Sequence, residues 1–254
     1  MWNQLIVDPM LNVLLAIYNL LGGNFGLAII AFTILIRLAL YPLSRQQMQS
    51  AEAMQKLQQD PRWKKIQEKY KNDREKLAQE QMRLYQELGV NPFASCLPTL
   101  IQFPIIIGLY QAVIKALAST PTQMLDLTRH IYPVFDIAAL IPLNSHFLWM
   151  DLGQPERLFL PGLNFGIPVL AILVGITTYL QSKLMTPPTS GGGQSEMMGQ
   201  MMTLYMPLLL FYFTMAYAAG LGLYFLTSNL VTIAQYAMMG KLDWKNLFGG
   251  KKAA

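Results

Sequence analysis

Arg37 is the residue whose setting most constrains what this chain can do. It lies about two-thirds of the way along an apolar run, 25–43, that reads FGLAIIAFTILIRLALYPL. A cation at the centre of a hydrocarbon layer costs about 2.5–3.5 kcal/mol, so such residues face a protein interior or a wet cavity. Snorkelling to the headgroups is the alternative. Ser44 is seven residues further on, about 10 Å at a helical rise of 1.5 Å per residue, and that alternative stays open. Thr33, four residues earlier, shares the helix face of Arg37.

Other apolar runs also carry polar side chains at helical spacing. Thr99 and Gln102 are three apart, and Thr177 and Gln181 four apart. Tyr224, Ser228, Thr232 and Gln235 form a stripe, with Asn229 beside it. Each alone also reads as a hydrogen bond between helices, worth about 0.6 kcal/mol on average in a membrane, and for Gln102 and Asn229 that reading weighs equally. None of the runs 25–43, 94–117, 165–183, 198–217 and 220–240 contains Asp or Glu. Arg37 therefore has no anionic neighbour within them, and an intramembrane cation without a counter-ion can attract an acid on something else.

Enzyme chemistry finds little support, and no catalytic residue is assigned. The only histidines are His130 and His146, and neither HExxH nor a Gly-rich phosphate loop occurs. An intramembrane protease would need a Ser–His or two-Asp site at depth, and both histidines fall in a loop. No metal or cofactor is expected. The single cysteine, Cys96, excludes an intramolecular disulfide and reads as packing.

The elements that carry these residues follow from composition. The chain has 254 residues, 53% hydrophobic and 13% charged, against about 25% charged in soluble proteins. A bilayer span needs about 20 mainly apolar residues. The sequence supplies five candidates: 25–43, 94–117, 165–183, 198–217 and 220–240. Residues 1–24 contain a further apolar stretch, Leu5–Leu21, interrupted by Asp8, Pro9, Asn12 and Asn19. It reads as an amphipathic helix lying in the interface, with a sixth span as its rival. No Lys or Arg precedes Arg37, so this stretch lacks the basic start of a signal peptide.

Charge sets the orientation. Segment 44–93 holds ten Lys and Arg, 183–197 holds Lys183, and the tail 241–254 holds four, fifteen in all, against Arg129 and Arg157 in the loop 118–164. The positive-inside rule then places the N-terminus outside and the C-terminus in the cytoplasm. On that topology Arg37, Gln102, Gln181, Thr232 and Gln235 all fall in the inner half, predicting a polar cavity open to the cytoplasm. The net charge of +5 reflects this topology rather than nucleic-acid binding, because seven acids dilute the basic segment and no binding motif surrounds it.

Segment 44–93 differs in kind. Leu57, Trp63, Ile66, Tyr70, Leu77, Leu84, Tyr85 and Leu88 recur at near-helical spacing among Gln, Lys and Glu. It predicts a cytoplasmic helical hairpin, kinked near Asp60-Pro61 and turning at Asn72-Asp73. A docking arm and a solvated charged loop explain it equally. Residues 118–164 predict peripheral helices or loops outside, and 184–197 (containing PPTSGGGQ) an inner loop.

With these residues in place, the chain resembles the YidC/Oxa/Alb membrane-insertase family, from the Leu5–Leu21 stretch to Gln235. The resemblance is carried by FTILIRLALYPLS, by ELGVNPFASCLPTLIQFPIIIGLYQA and by YMPLLLFYFTMAYAAGLGLYFLTSNLVTIAQ. It implies an all-α membrane protein: a five-span core, a cytoplasmic helical hairpin that recruits substrate and an N-terminal interfacial helix, in a bacterial plasma membrane. It implies a hydrophilic groove that receives the polar part of a nascent membrane protein, lined at Arg37, Thr33, Gln102, Gln181, Tyr224, Phe225, Ser228, Thr232 and Gln235. Further partners it suggests are the lipid bilayer, a Sec-type channel, the ribosome or signal recognition machinery, with the chain itself a monomer. Two places depart from the family pattern. Ala218-Ala219-Gly220 stands where Pro-Ser/Ala-Gly is usual, and Phe225 supplies a ring without a polar edge. The rival function is a channel or transporter with Arg37 on its pathway.

Overall fold

The computed structural model describes residues 1–70, 73–89, 97–117, 120–133, 143–159, 161, 166–185, 201–240 and 242. Cys96, Asn72, the PPTSGGGQ loop and nearly all of the basic tail lie outside them. The described chain is mostly helical, with helices α1 (Asp8–Leu20), α2 (Phe25–Ala39), α3 (Tyr41–Gln59), α4 (Pro61–Lys69), α5 (Arg74–Glu87) and α6 (Leu97–Ala116). After α7 (Pro121–His130) come two short antiparallel strands, β1 (His146–Phe147) and β2 (Met150–Asp151), then α8 (Val169–Met185), α9 (Met206–Ala216) and α10 (Ala219–Met238).

Prolines set several boundaries. Single π-type turns, Asn3–Val7 and Met201–Tyr205, run directly into α1 and α9, and Pro9 and Pro207 stand second in those helices. A proline has no N–H for the preceding turn, which loosens the helix there. The run 25–43 is not one straight helix. α2 and the first part of α3 meet at a 57° bend, where Pro42 has no N–H to give to the carbonyl of Leu38. Among the described residues no single helix is both long and apolar enough to cross a membrane, though this bent pair is, and Gln102–Ala116, Val169–Met185 and Thr203–Ala216 are shorter apolar helices. This is coarser than the five uninterrupted spans expected from the sequence. The last of these, α10, is long enough but carries Thr227, Ser228, Asn229, Thr232 and Gln235, all buried.

α10 occupies the middle. It packs on α2 and α8, α9 lies against α8, and α1 lies against α2 and α6. The core they share includes Phe25, Ile29, Phe32, Leu109, Val113, Leu170, Val174 and Leu221. At one end the loop 145–159 closes the bundle. The carbonyls of Leu152 and Gln154 accept from the N–H groups of Gly220 (2.9 Å) and Ala219 (2.7 Å), satisfying donors that the start of α10 would otherwise leave orphaned. The buried carboxylate of Glu156 accepts from the Leu170 N–H (3.0 Å) at the start of α8 and from Trp149 Nε1 (2.8 Å). A negative group at a helix N-terminus is favourable.

Asp8 and Asn12 of α1 are covered rather than solvated. Asn12 Nδ2 donates to the carbonyls of Asp8 (2.7 Å) and His130 (2.8 Å), and its Oδ1 accepts from the Tyr132 N–H (2.7 Å). His130 Nδ1 lies 2.8 Å from Asp8 Oδ1, and Lys115 Nζ lies 2.8 Å from His130 Nε2. The hydrogen bond from Lys115 also holds the Asp126 carboxyl below the usual carboxylate range.

Away from the bundle, α3, α4 and α5 form a separate small pack. Leu57, Trp63 and Leu84 are buried together, with Ile66 and Tyr85 against them. Asp60 caps α4 through the Arg62 N–H (2.8 Å), and Asp73 caps α5 through the Lys76 N–H (3.1 Å). A side-chain hydrogen bond from Arg62 holds the Asp60 carboxyl low.

Candidate functional site

α10 presents its polar residues to three helices. The Nε of Arg37, near the end of α2, donates to Ser228 Oγ at 2.9 Å, and its Nη2 also donates to that oxygen. Seven residues beyond Ser228, two helical turns on, Gln235 Nε2 donates to the carbonyl of Arg37 (3.2 Å). Residue 37 is thus held twice by α10, once by its side chain and once by its backbone. One turn before Ser228, the hydroxyl of Tyr224 accepts from Gln102 Nε2 of α6. Thr232 Oγ1 donates to the carbonyl of Ser228 (2.7 Å).

Three further residues expected at the site make no hydrogen bond to Arg37 among the described residues. Thr33 is fully buried, but its hydroxyl donates to Ile29 of its own helix (2.6 Å). Phe225 is buried in the hydrophobic core beside Tyr224. Gln181 keeps its Oε1 buried with no hydrogen-bond partner among the described residues, as does Gln235. The side chain of Thr99 lies outside the described residues.

Two residues belong with the site that the sequence left aside. Tyr236 is within electrostatic reach of Arg37, as is Tyr224, and as one more aromatic in an apolar helix it gave no polar signal. Asn229 donates to Thr177 Oγ1 (3.1 Å) and Thr178 Oγ1 (2.8 Å) of α8. Its place beside the stripe was visible, but its partners were not.

The electrostatics are one-sided. Among the described residues, Arg37 has no carboxylate within ion-pair distance, and the titratable groups nearest it are the neutral phenols of Tyr224 and Tyr236. Groups of His, Cys, Asp and Glu suited to hold a metal are absent among the described residues. The arrangement offers a fixed cation, hydroxyls and two unpaired amide oxygens. That is chemistry suited to binding an acidic or polar group.

The exterior is the reverse of this interior. Leu35, Leu38, Phe103, Ile107, Ile176, Leu208 and Leu230 are exposed, while Arg37 and its partners turn inward. A helical bundle that exposes apolar side chains and turns a cation and its polar partners inward, beside an apolar core, has the pattern of an α-helical membrane protein. The chain belongs to the family described as 60Kd inner membrane protein, which matches residues 16–245. It is 35% identical over 260 residues to membrane protein insertase MisCA of Bacillus subtilis (strain 168), covering 99% of this chain and 85% of that protein. It is likewise 35% identical over 238 residues to membrane protein insertase YidC 2 of Bacillus anthracis, covering 92% and 79%. Among solved structures it is similar to an active YidC insertase with its first transmembrane domain resolved. The TM-score is 0.56 and the identity 25%, over 92% of this chain but only 46% of that one.

Proposed function

We propose that this chain is a membrane protein insertase of the bacterial plasma membrane, acting as a monomer and without a nucleotide. Its relatives carry that name, and none of those reported is named a channel or transporter. The N-terminus lies outside and the C-terminus in the cytoplasm. Five spans, 25–43, 94–117, 165–183, 198–217 and 220–240, surround a groove open to the inner side. Segment 44–93 meets the substrate, whose short polar tail enters the groove towards Arg37. Polar groups along the way spare that tail much of the cost of leaving water. The apolar segment of the substrate then passes into lipid, gaining about 25 cal/mol for each Å² removed from water. That gain drives the step, and the protein lowers its barrier.

The observation that carries this reading is a guanidinium held in the interior by a neutral serine hydroxyl. Such a cation keeps its attraction for an incoming acid, because no carboxylate among the described residues neutralises it.

The test is insertion of a single-span substrate with a short acidic tail into liposomes bearing the purified protein. Wild type and Arg37→Lys are expected to insert it, and Arg37→Ala to fail. Insertion by Arg37→Ala at the wild-type level would remove attraction by Arg37 from the mechanism. If even wild type does no better than empty liposomes, the insertase reading itself falls.

A further inference from the structure

We propose that Asn229 is a positioning residue, which fixes the rotation of α10 so that Ser228 meets Arg37 and Tyr224 meets Gln102. It touches no substrate and acts through its neighbours. The proposal rests on the reading of Arg37 as the groove's cation.

Asn229 and Ser228 are consecutive, so they point about 100° apart around the α10 axis at 3.6 residues per turn. Ser228 bonds α2 and Asn229 bonds α8. Two anchors one residue apart, on two different neighbours, resist rotation in both senses. With side-chain tips about 6 Å from a helix axis, a turn of about 20° moves them by about 2 Å, enough to break a hydrogen bond.

The donors and acceptors are arranged in one order. Thr177 Oγ1 donates to the carbonyls of Leu173 (2.8 Å) and Val174 (3.1 Å), and Thr178 Oγ1 to that of Val174 (2.7 Å). Each hydroxyl proton is committed to the backbone of α8, which leaves the oxygens free only to accept. Asn229 supplies two N–H bonds from one amide, and it is buried, at 6% exposure.

The experiment compares liposome insertion of two substrates, alike except for an acidic or an uncharged tail, by wild type, Asn229→Ala, Arg37→Ala and the double variant. Thermal unfolding in detergent is followed in parallel. Asn229→Ala is expected to lower acidic-tail insertion about threefold to eighteenfold, from the average to the largest effect of an interhelical hydrogen bond, and to lower uncharged-tail insertion much less. The double variant is expected to match Arg37→Ala. Thr177→Val with Thr178→Val keeps the side-chain shapes, removes the acceptors and should reproduce the tail-dependent loss, including where Asn229→Ala fails to fold. Equal losses on both substrates, losses that add to those of Arg37→Ala, or no loss at all would overturn the proposal. If wild type and Arg37→Ala insert the acidic tail equally, it is the underlying reading of Arg37 that has failed.

Discussion

Arg37 and Ser228 stand 191 positions apart in sequence, yet the guanidinium Nε donates to the serine Oγ at 2.9 Å. Among the described residues a serine hydroxyl is what anchors this partly buried guanidinium. It orients the charge without cancelling it, whereas a carboxylate in the same place would do both. Taking two charges out of water to pair them is itself costly, so a neutral anchor also avoids a second desolvation.

Ser228→Asp separates orientation from charge. The new carboxylate would sit where the hydroxyl now accepts, within ion-pair distance of Arg37. The expected outcome is a folded protein whose insertion of acidic-tail substrates falls to the level of Arg37→Ala. Substrates with uncharged tails should be less affected. Liposome insertion with matched tails measures this, and wild-type activity in Ser228→Asp on acidic tails would show that free positive charge is not what the groove offers.

Close packing supplies a second, independent test. At Gly222 of α10, an added Cβ would lie 2.5 Å from Thr214 Cγ2 and 2.8 Å from Leu170 Cδ2, closer than real contacts allow. Gly222→Ala should therefore destabilise by about 1–3 kcal/mol, the usual cost of overpacking. Gly175 of α8 is a matched control, since its added Cβ would meet Phe211 at an ordinary 3.5 Å. Gly175→Ala should be neutral, or should stabilise by about 0.5–1 kcal/mol through helix propensity. Thermal unfolding in one detergent compares them. Equal behaviour would mean that α10 does not approach α8 and α9 as closely as described.

The sequence made some of this legible and hid the rest for physical reasons. Arg37 announces itself because charge inside an apolar run is costly. Tyr224, Ser228, Thr232 and Gln235 are legible as a stripe because helical periodicity places them on one side. Thr33 satisfied the same spacing rule, yet its hydroxyl turned back to the carbonyl of Ile29. A helical threonine always has that carbonyl within reach, so spacing alone cannot tell which partner it takes. The bend at Leu40 was hidden because apolar composition continues through it, although Pro42 was in plain view. Glu156 lay in a loop without periodicity, and only the fold brings it to the start of α8. Asn229 shows the same limit: its polarity was visible, but its threonine partners are a property of packing.

The N-terminal helix gives the last prediction. Asn12 has one side chain and three backbone partners, bonding the carbonyls of Asp8 and His130 and the N–H of Tyr132. It therefore ties α1 to the end of α7, two segments that hydrophobic burial alone would hold only loosely in register. Asn12→Ala leaves the His130 carbonyl and the Tyr132 N–H without this partner. An orphaned buried polar group costs about 1–3 kcal/mol, and water reaching the site would reduce that. The expected result is a clear fall in thermal stability, with faster amide exchange at Tyr132 than at backbone positions inside α10. If Asn12→Ala melts with wild type and Tyr132 exchanges unchanged, α1 is not docked through this side chain. Its attachment would then rest on the apolar face formed by Leu11, Leu14 and Leu15, which are fully buried.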